Sequence, residues 1–200
     1  ELGYRREKRD NKSYPLSGYL VDVKATQHGL GIIEKDGITI GEAKMTVNQH
    51  AHLNNRWYFA HGAKFKYTFG QPPYYFQRGL GYESEFMRGY ELFVIDGQHY
   101  ALYKSNLKYN LIQKKTVTLN TKRFKKFNEI PYSLFLNAFG DMGYVVDNIH
   151  DISNPLANQI NYSFGLGLDF VSYYDIVIRM EGSINAQGQP GFYIHFKNPI

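Results

Sequence analysis

Residues 56–69 read Arg-Trp-Tyr-Phe-Ala-His-Gly-Ala-Lys-Phe-Lys-Tyr-Thr-Phe, and this stretch decides the fold class. Its odd positions are Trp57, Phe59, His61, Ala63, Phe65, Tyr67 and Phe69. Its even positions are Arg56, Tyr58, Ala60, Gly62, Lys64, Lys66 and Thr68. One face is apolar and aromatic, the other small or basic, and a period of two is the signature of a strand with unlike faces. The preceding stretch repeats the pattern, with Ala43, Met45, Val47, Ala51 and Leu53 against Glu42, Lys44, Thr46, Asn48, His50 and His52. Nearer the C-terminus, Tyr174, Ile176, Ile178, Met180 and Ile184 oppose Asp175, Arg179 and Glu181.

Outward from these segments the alternation gives eight strands: 18–28, 38–53, 56–69, 99–112, 131–147, 159–170, 173–185 and 191–197. No stretch reads as a helix. Asn54-Asn55 and Val171-Ser172 read as tight turns, 70–98 as a long connection and 148–158 as a moderately long one. Short turns at one end and long loops at the other are the habit of outer-membrane barrels. Several segments run to about a dozen residues, whereas soluble-domain strands average about 5–6. Tyr14, Tyr19, Tyr67, Tyr109, Tyr132, Tyr144, Tyr173 and Tyr174 fall at strand ends, where aromatic girdles sit. The expectation is an all-β, antiparallel transmembrane β-barrel domain spanning 1–200, with a soluble β-domain as its rival.

Composition agrees. The 200 residues include 18 Tyr, 14 Phe and 1 Trp, enough apolar surface to fold, and the net charge is +5. Cysteine is absent, which excludes disulfides, thiolate-ligated zinc and thiol catalysis. No apolar run reaches the roughly 18 residues that mark a transmembrane helix, but a barrel strand needs only about 9–11. The chain opens at Glu1 without a basic or apolar leader, so a mature protein or an excised fragment is expected.

Met87-Arg88-Gly89-Tyr90 resembles the Val-Arg-Gly-Phe motif of the long sixth extracellular loop in BamA-type outer-membrane assembly proteins, the bacterial surface antigen family. Other segments agree in order. Tyr14-Pro15-Leu16-Ser17-Gly18 resembles the turn before that family's ninth strand. Pro73-Tyr74-Tyr75-Phe76 and Gly79-Leu80-Gly81 resemble the approach to the sixth loop. Gly97 and Asn106-Leu107-Lys108-Tyr109 resemble the twelfth strand, Phe139-Gly140-Asp141-Met142-Gly143 the thirteenth and Gly165-Leu166-Gly167 the fourteenth. Gln189, Gly191, Ile194 and Phe196 fill the places of the C-terminal strand signal of outer-membrane barrels. The eight strands would then be the ninth to sixteenth, the C-terminal half of a sixteen-stranded barrel, completed by a larger chain or by another half-barrel.

The resemblance implies that 70–98 folds into the barrel and that Arg88 meets Asp141. Parity supports the second point, because Ser133, Asn137 and Asp141 oppose the apolar set Tyr132, Leu134, Leu136, Ala138, Met142 and Tyr144. Asn106 stands where the family carries an inward Glu, so the second carboxylate of its network is missing. Arg88, Gly89, Tyr90, Asn106, Asp141 and Gly143 form the expected loop–lumen site. Lys114, Lys115, Lys122, Arg123, Lys125 and Lys126 form a basic cluster between the fourth and fifth strands, suited to anionic lipid head groups or plain solvation rather than to nucleic acid.

His50 and His52 share a strand face, but with no third ligand they read as a polar pair. No nucleophile elbow, phosphate loop or His-Glu-x-x-His motif is present, so no catalytic residue, metal or cofactor is expected. By resemblance, the function is insertion of outer-membrane proteins. The partners are unfolded outer-membrane protein substrates, the lipid bilayer and periplasmic domains or assembly lipoproteins, and the location is the bacterial outer membrane. A secretion pore of the same superfamily, a passive barrel and a lipocalin-like binding module are the alternatives. The last requires an apolar interior.

Overall fold

The computed structural model describes residues 1–29, 39–70, 72–82, 85–118, 129–149, 154–172 and 176–196. They form one antiparallel sheet of nine strands in sequence order. The strands are β1 (Leu2–Glu7), β2 (Gly18–His28), β3 (Ile40–Asn54), β4 (Trp57–Phe69), β5 (His99–Thr118), β6 (Glu129–Val146), β7 (Ile160–Ser172), β8 (Val177–Asn185) and β9 (Pro190–His195). Among the described residues helix is confined to a 3₁₀ turn at Tyr74–Phe76, and no helix is long and apolar enough to cross a membrane. The sheet is not closed into a barrel: β1 and β9 are its two open edges.

Strand number differs from the sequence expectation of eight. β1 is the addition, pairing Leu2 with Ala25 and Glu7 with Leu20. Its sequence, Leu-Gly-Tyr-Arg-Arg-Glu, has no apolar face and is almost wholly exposed, so hydrophobic alternation could not reveal it. β5 also runs beyond the expected end at Ile112. Register shifts between Asn110 and Lys115 break the two-residue period there, as bulges do. Lys114 and Lys115 therefore lie exposed within β5, not in a connection, while Lys122, Arg123, Lys125 and Lys126 lie outside the described residues. Val171 and Ser172 are strand residues rather than a turn, with Val171 opposite Val177. Tyr173, Tyr174 and Lys197 also lie outside the described residues. The β3–β4 turn sits at Asn55-Arg56, where Asn54 Oδ1 accepts the Arg56 and Trp57 amides at 3.2 Å each.

The two faces have the polarity that alternation foresaw. Met45, Trp57, Phe65, Tyr67, Leu136, Met142, Phe164, Leu166 and Ile194 are exposed. Asn48, His50, Lys66, Lys104, Asn106, Lys108, Asn137, Asp141, Asp169, Arg179 and Glu181 are buried on the other face. This inverts the usual soluble arrangement and the apolar interior of a lipocalin-like module.

Two covers make the polar face an interior. The connection between β4 and β5 returns over it, bridging Leu80 to Ile95 and packing Leu80, Met87, Tyr90 and Ile95 against Tyr100, Leu102 and Val145. The turn between β1 and β2 packs Tyr14 against Phe135 and Val177. Asp10 Oδ1 shapes that turn by accepting the amides of Asn11, Leu16 and Ser17.

Leu80 is 1% exposed at the centre of the loop cluster. Leu80→Ala should therefore destabilise loop docking by about 2–5 kcal/mol. The expected readout is faster proteolytic cleavage within 72–98 with unchanged sheet content by circular dichroism; unchanged cleavage would show that other contacts hold the loop.

Candidate functional site

Arg88 is delivered to the sheet by the loop turn at Met87–Tyr90, where the Tyr90 amide donates to the Met87 carbonyl at 3.0 Å. Gly89 adopts φ +81°, and a Cβ there would lie 3.1 Å from Ser163 Cβ. A side chain would thus be strained by backbone and neighbour alike. Gly143 makes the matching space in the wall, since a Cβ on it would stand 2.9 Å from Leu80 Cδ1 and 3.3 Å from Met87 Sδ.

Asp141 receives the arginine. Arg88 Nε donates to Asp141 Oδ2 at 2.8 Å, Nη2 donates to Oδ1, and the Arg88 amide donates to Oδ2 at 3.1 Å. Nη2 also donates to the Ser105 carbonyl at 3.0 Å, and the guanidinium lies 4.0 Å above the Phe139 ring. Both side chains are 0% exposed. The Ser163 hydroxyl donates to the Arg88 carbonyl, Asn185 Nδ2 to the Gly89 carbonyl at 3.2 Å, and the Ala186 amide to the Tyr90 hydroxyl at 3.3 Å. The motif thereby reaches β5, β6, β7, β8 and the β8–β9 turn.

The expectation of a missing second carboxylate is corrected. Asn106 is 0% exposed between Ala60 and Phe139, and neither of its amide atoms has a hydrogen-bond partner among the described residues. The second carboxylate is Glu181 of β8, with Oε1 at 3.7 Å from Arg88 Nη1. The same oxygen stands 3.4 Å from Arg179 Nη1.

Arg179 opens a second buried pair that sequence reasoning missed. Its Nε and Nη2 donate to Asp169 Oδ1 and Oδ2 at 2.6 and 2.5 Å. Asp169 also accepts from the Tyr14 hydroxyl and from Asn137 Nδ2, each at 2.7 Å. Tyr14, quoted for its turn motif, thus ties the N-terminal cover to the interior. A signal existed in the sequence: Asp169 and Arg179 are symmetric about position 174 and face each other in the β7–β8 register. Placing the turn at Val171-Ser172 concealed it.

Of the other buried lysines, Lys66 pairs with Glu42 at 3.2 Å and donates to the Arg78 carbonyl at 2.8 Å, while two lie against rings. Lys104 Nζ is 4.2 Å from the Phe86 centroid and Lys108 Nζ is 4.1 Å from that of Tyr14. In the loop, Tyr82 donates to Asp96, and burial with that bond pushes its phenol up to about 12, keeping it a neutral donor. His50 is buried, whereas His52 is exposed and stacks on Tyr58 at 4.7 Å.

Of the C-terminal strand residues, Gln189 closes the β8–β9 turn by donating its amide to Asn185 Oδ1 at 3.0 Å. Gly191 faces Ser183 and Ile194 faces Met180. Ile194 and Phe196 are exposed with the apolar face.

Chemically, the site is a set of neutralised buried charges that locks a loop in register. Asp141→Asn leaves Arg88 with only the 3.7 Å contact to Glu181, an oxygen shared with Arg179, and should lower the unfolding free energy by about 3–5 kcal/mol. Adding Arg88→Met to that variant should recover part of the loss in a denaturant titration, because the stranded charge goes with it; simply additive losses would mean that the two side chains are not coupled. No protein-family model, curated protein or solved structure matches the chain.

Proposed function

We propose that this sheet is the C-terminal part of a BamA-like transmembrane barrel that assembles other barrels in the bacterial outer membrane. The observation that carries the reading is the Arg88–Asp141 pair, which pins a returning loop to the polar face of a sheet whose opposite face is apolar and exposed. A hydrocarbon-facing wall requires that polarity, because charges are tolerated only toward the interior. With the loop between β4 and β5 set between the eleventh and twelfth strands of a sixteen-stranded barrel, β1 to β9 correspond to its eighth to sixteenth.

In a bilayer the open edges must find partners, either from more of the same chain or from another copy. The outer edge of β9 is a template for an incoming strand, whose backbone groups would pair with it before it closes its own barrel. Pairing those groups and burying apolar faces in lipid drives insertion without a nucleotide. Unfolded outer-membrane proteins are then the substrates, and periplasmic domains or assembly lipoproteins the partners. Lys114 and Lys115, exposed on β5, suit anionic head groups.

The test uses the protein in bilayers with cysteines introduced into these 200 residues, which contain none. Cysteines at 88 and 141 should crosslink, and a photoreactive residue at Phe192 should capture an unfolded outer-membrane protein while one at Leu136 does not. Capture from the interior position Lys108 and not from Phe192 would replace strand templating by a polypeptide-conducting pore. Absence of the 88–141 crosslink in inserted protein would remove the loop from the interior and overturn the reading.

A further inference from the structure

Beside the arginine pairs, three metal-ligating side chains converge from three different elements. Glu91 comes from the loop, Glu181 from β8 and His195 from β9, and their ligand atoms lie within 4.8 Å of one another. His195 Nε2 is 3.4 Å from Glu91 Oε1 and 3.4 Å from Glu181 Oε2. These distances are long for hydrogen bonds. They match the roughly 3.3 Å that separates two ligands of a tetrahedral ion with bonds of about 2.0–2.1 Å.

Charge and burial point the same way. Arg88 and Arg179 are each neutralised by their own aspartate, Asp141 and Asp169. Glu181 shares one oxygen between the two arginines, at 3.7 and 3.4 Å, and its other oxygen lies with Glu91 beside the histidine. Glu181 is 1% exposed, and none of the four carboxylate oxygens, nor His195 Nε2, has a hydrogen-bond partner among the described residues. Lys104, the next cation, lies over Phe86. Buried acceptors without donors are costly, and a dication supplies the missing charge.

The surroundings are ordered as a ligand shell requires. The His195 ring is stacked on Phe86 at 5.5 Å, which fixes its orientation. Glu181 Oε1 faces the two arginines while Oε2 faces His195, so one oxygen is held and the other is free to coordinate. The His195 side chain is 20% exposed, leaving an approach for the ion and a place for water as fourth ligand.

We infer that Glu91, Glu181 and His195 form a binding site for a divalent transition ion of the zinc type, which clasps the loop to the C-terminal edge strand. One imidazole with two carboxylates and an open position is a donor set that suits zinc. The inference is independent of the assembly reading, since it needs only the folded loop.

The experiment uses the folded full chain in detergent micelles after chelator treatment, titrated with Co²⁺ as the visible-absorbing probe and then displaced with Zn²⁺. One equivalent of tetrahedral Co²⁺ per chain is expected. His195→Ala and Glu91→Gln should each weaken it by more than about 100-fold, beyond the loss typical of an outer-shell change. His52→Ala, at an exposed histidine elsewhere, should leave it unchanged. Should the variants misfold, nitrogen NMR of histidine-labelled native protein gives the same answer, through a Zn²⁺-dependent shift of His195 Nε2. No stoichiometric binding, binding that survives both substitutions, or an unshifted His195 would overturn the site and leave His195 as a plain polar contact between two carboxylates.

Discussion

A guanidinium with no solvent exposure must find its counter-charge within the protein, and Arg88 can reach Asp141 only if the β4–β5 connection lies back across the sheet. That one requirement organises the interior. It brings Leu80, Met87, Tyr90 and Ile95 onto Tyr100, Leu102 and Val145, and it sets Gly89 against Ser163. Apolar burial favours docking, while the ion pair supplies register, because a displaced loop would strand charge on both sides. Glu181 joins this pair to Arg179–Asp169, and Tyr14 carries the linkage to the N-terminal cover.

The polarity of the sheet has an equally physical basis. Aromatic and aliphatic side chains from Trp57 to Phe196 stand exposed on one face, and such a surface in water is an aggregation or docking surface. The polar face carries lysines held over aromatic rings and amides such as Asn106 without hydrogen-bond partners among the described residues. A wet cavity meets the needs of such groups better than a dry core does. Both faces are therefore suited to a wall between hydrocarbon and a hydrated interior, which is the setting proposed above.

Legibility in the sequence followed the strength of the local signal. β4 was readable because all but Tyr58 and His61 of its residues keep the two-residue period, and the same alternation in β6 put Asp141 on the inner face. β1 was not readable, since its pairing with β2 uses backbone groups that any sequence offers. The far part of β5 was lost where shifted register breaks the alternation. In the site, Arg88 and Asp141 were found through motif and parity. Glu181 was on the correct face but unassigned, because its contact with Arg88 is made in space across strands that sequence order does not join. The Asp169–Arg179 pair was hidden by a misplaced turn, an error that moves every cross-strand partner in the hairpin.

The six residues of β9 are held by one neighbour, whereas Tyr100–Tyr109 of β5 lie between two. Resistance to opening is consequently uneven across the sheet. Thermal breathing should start at the C-terminal margin and fade toward β5 and β6, where the loop adds its own grip. Amides of β9 would then exchange with solvent hydrogen long before those of β5. The protein combines a stiff wall with a yielding hem, and the hem is where one strand can give way to another at least expense to the rest.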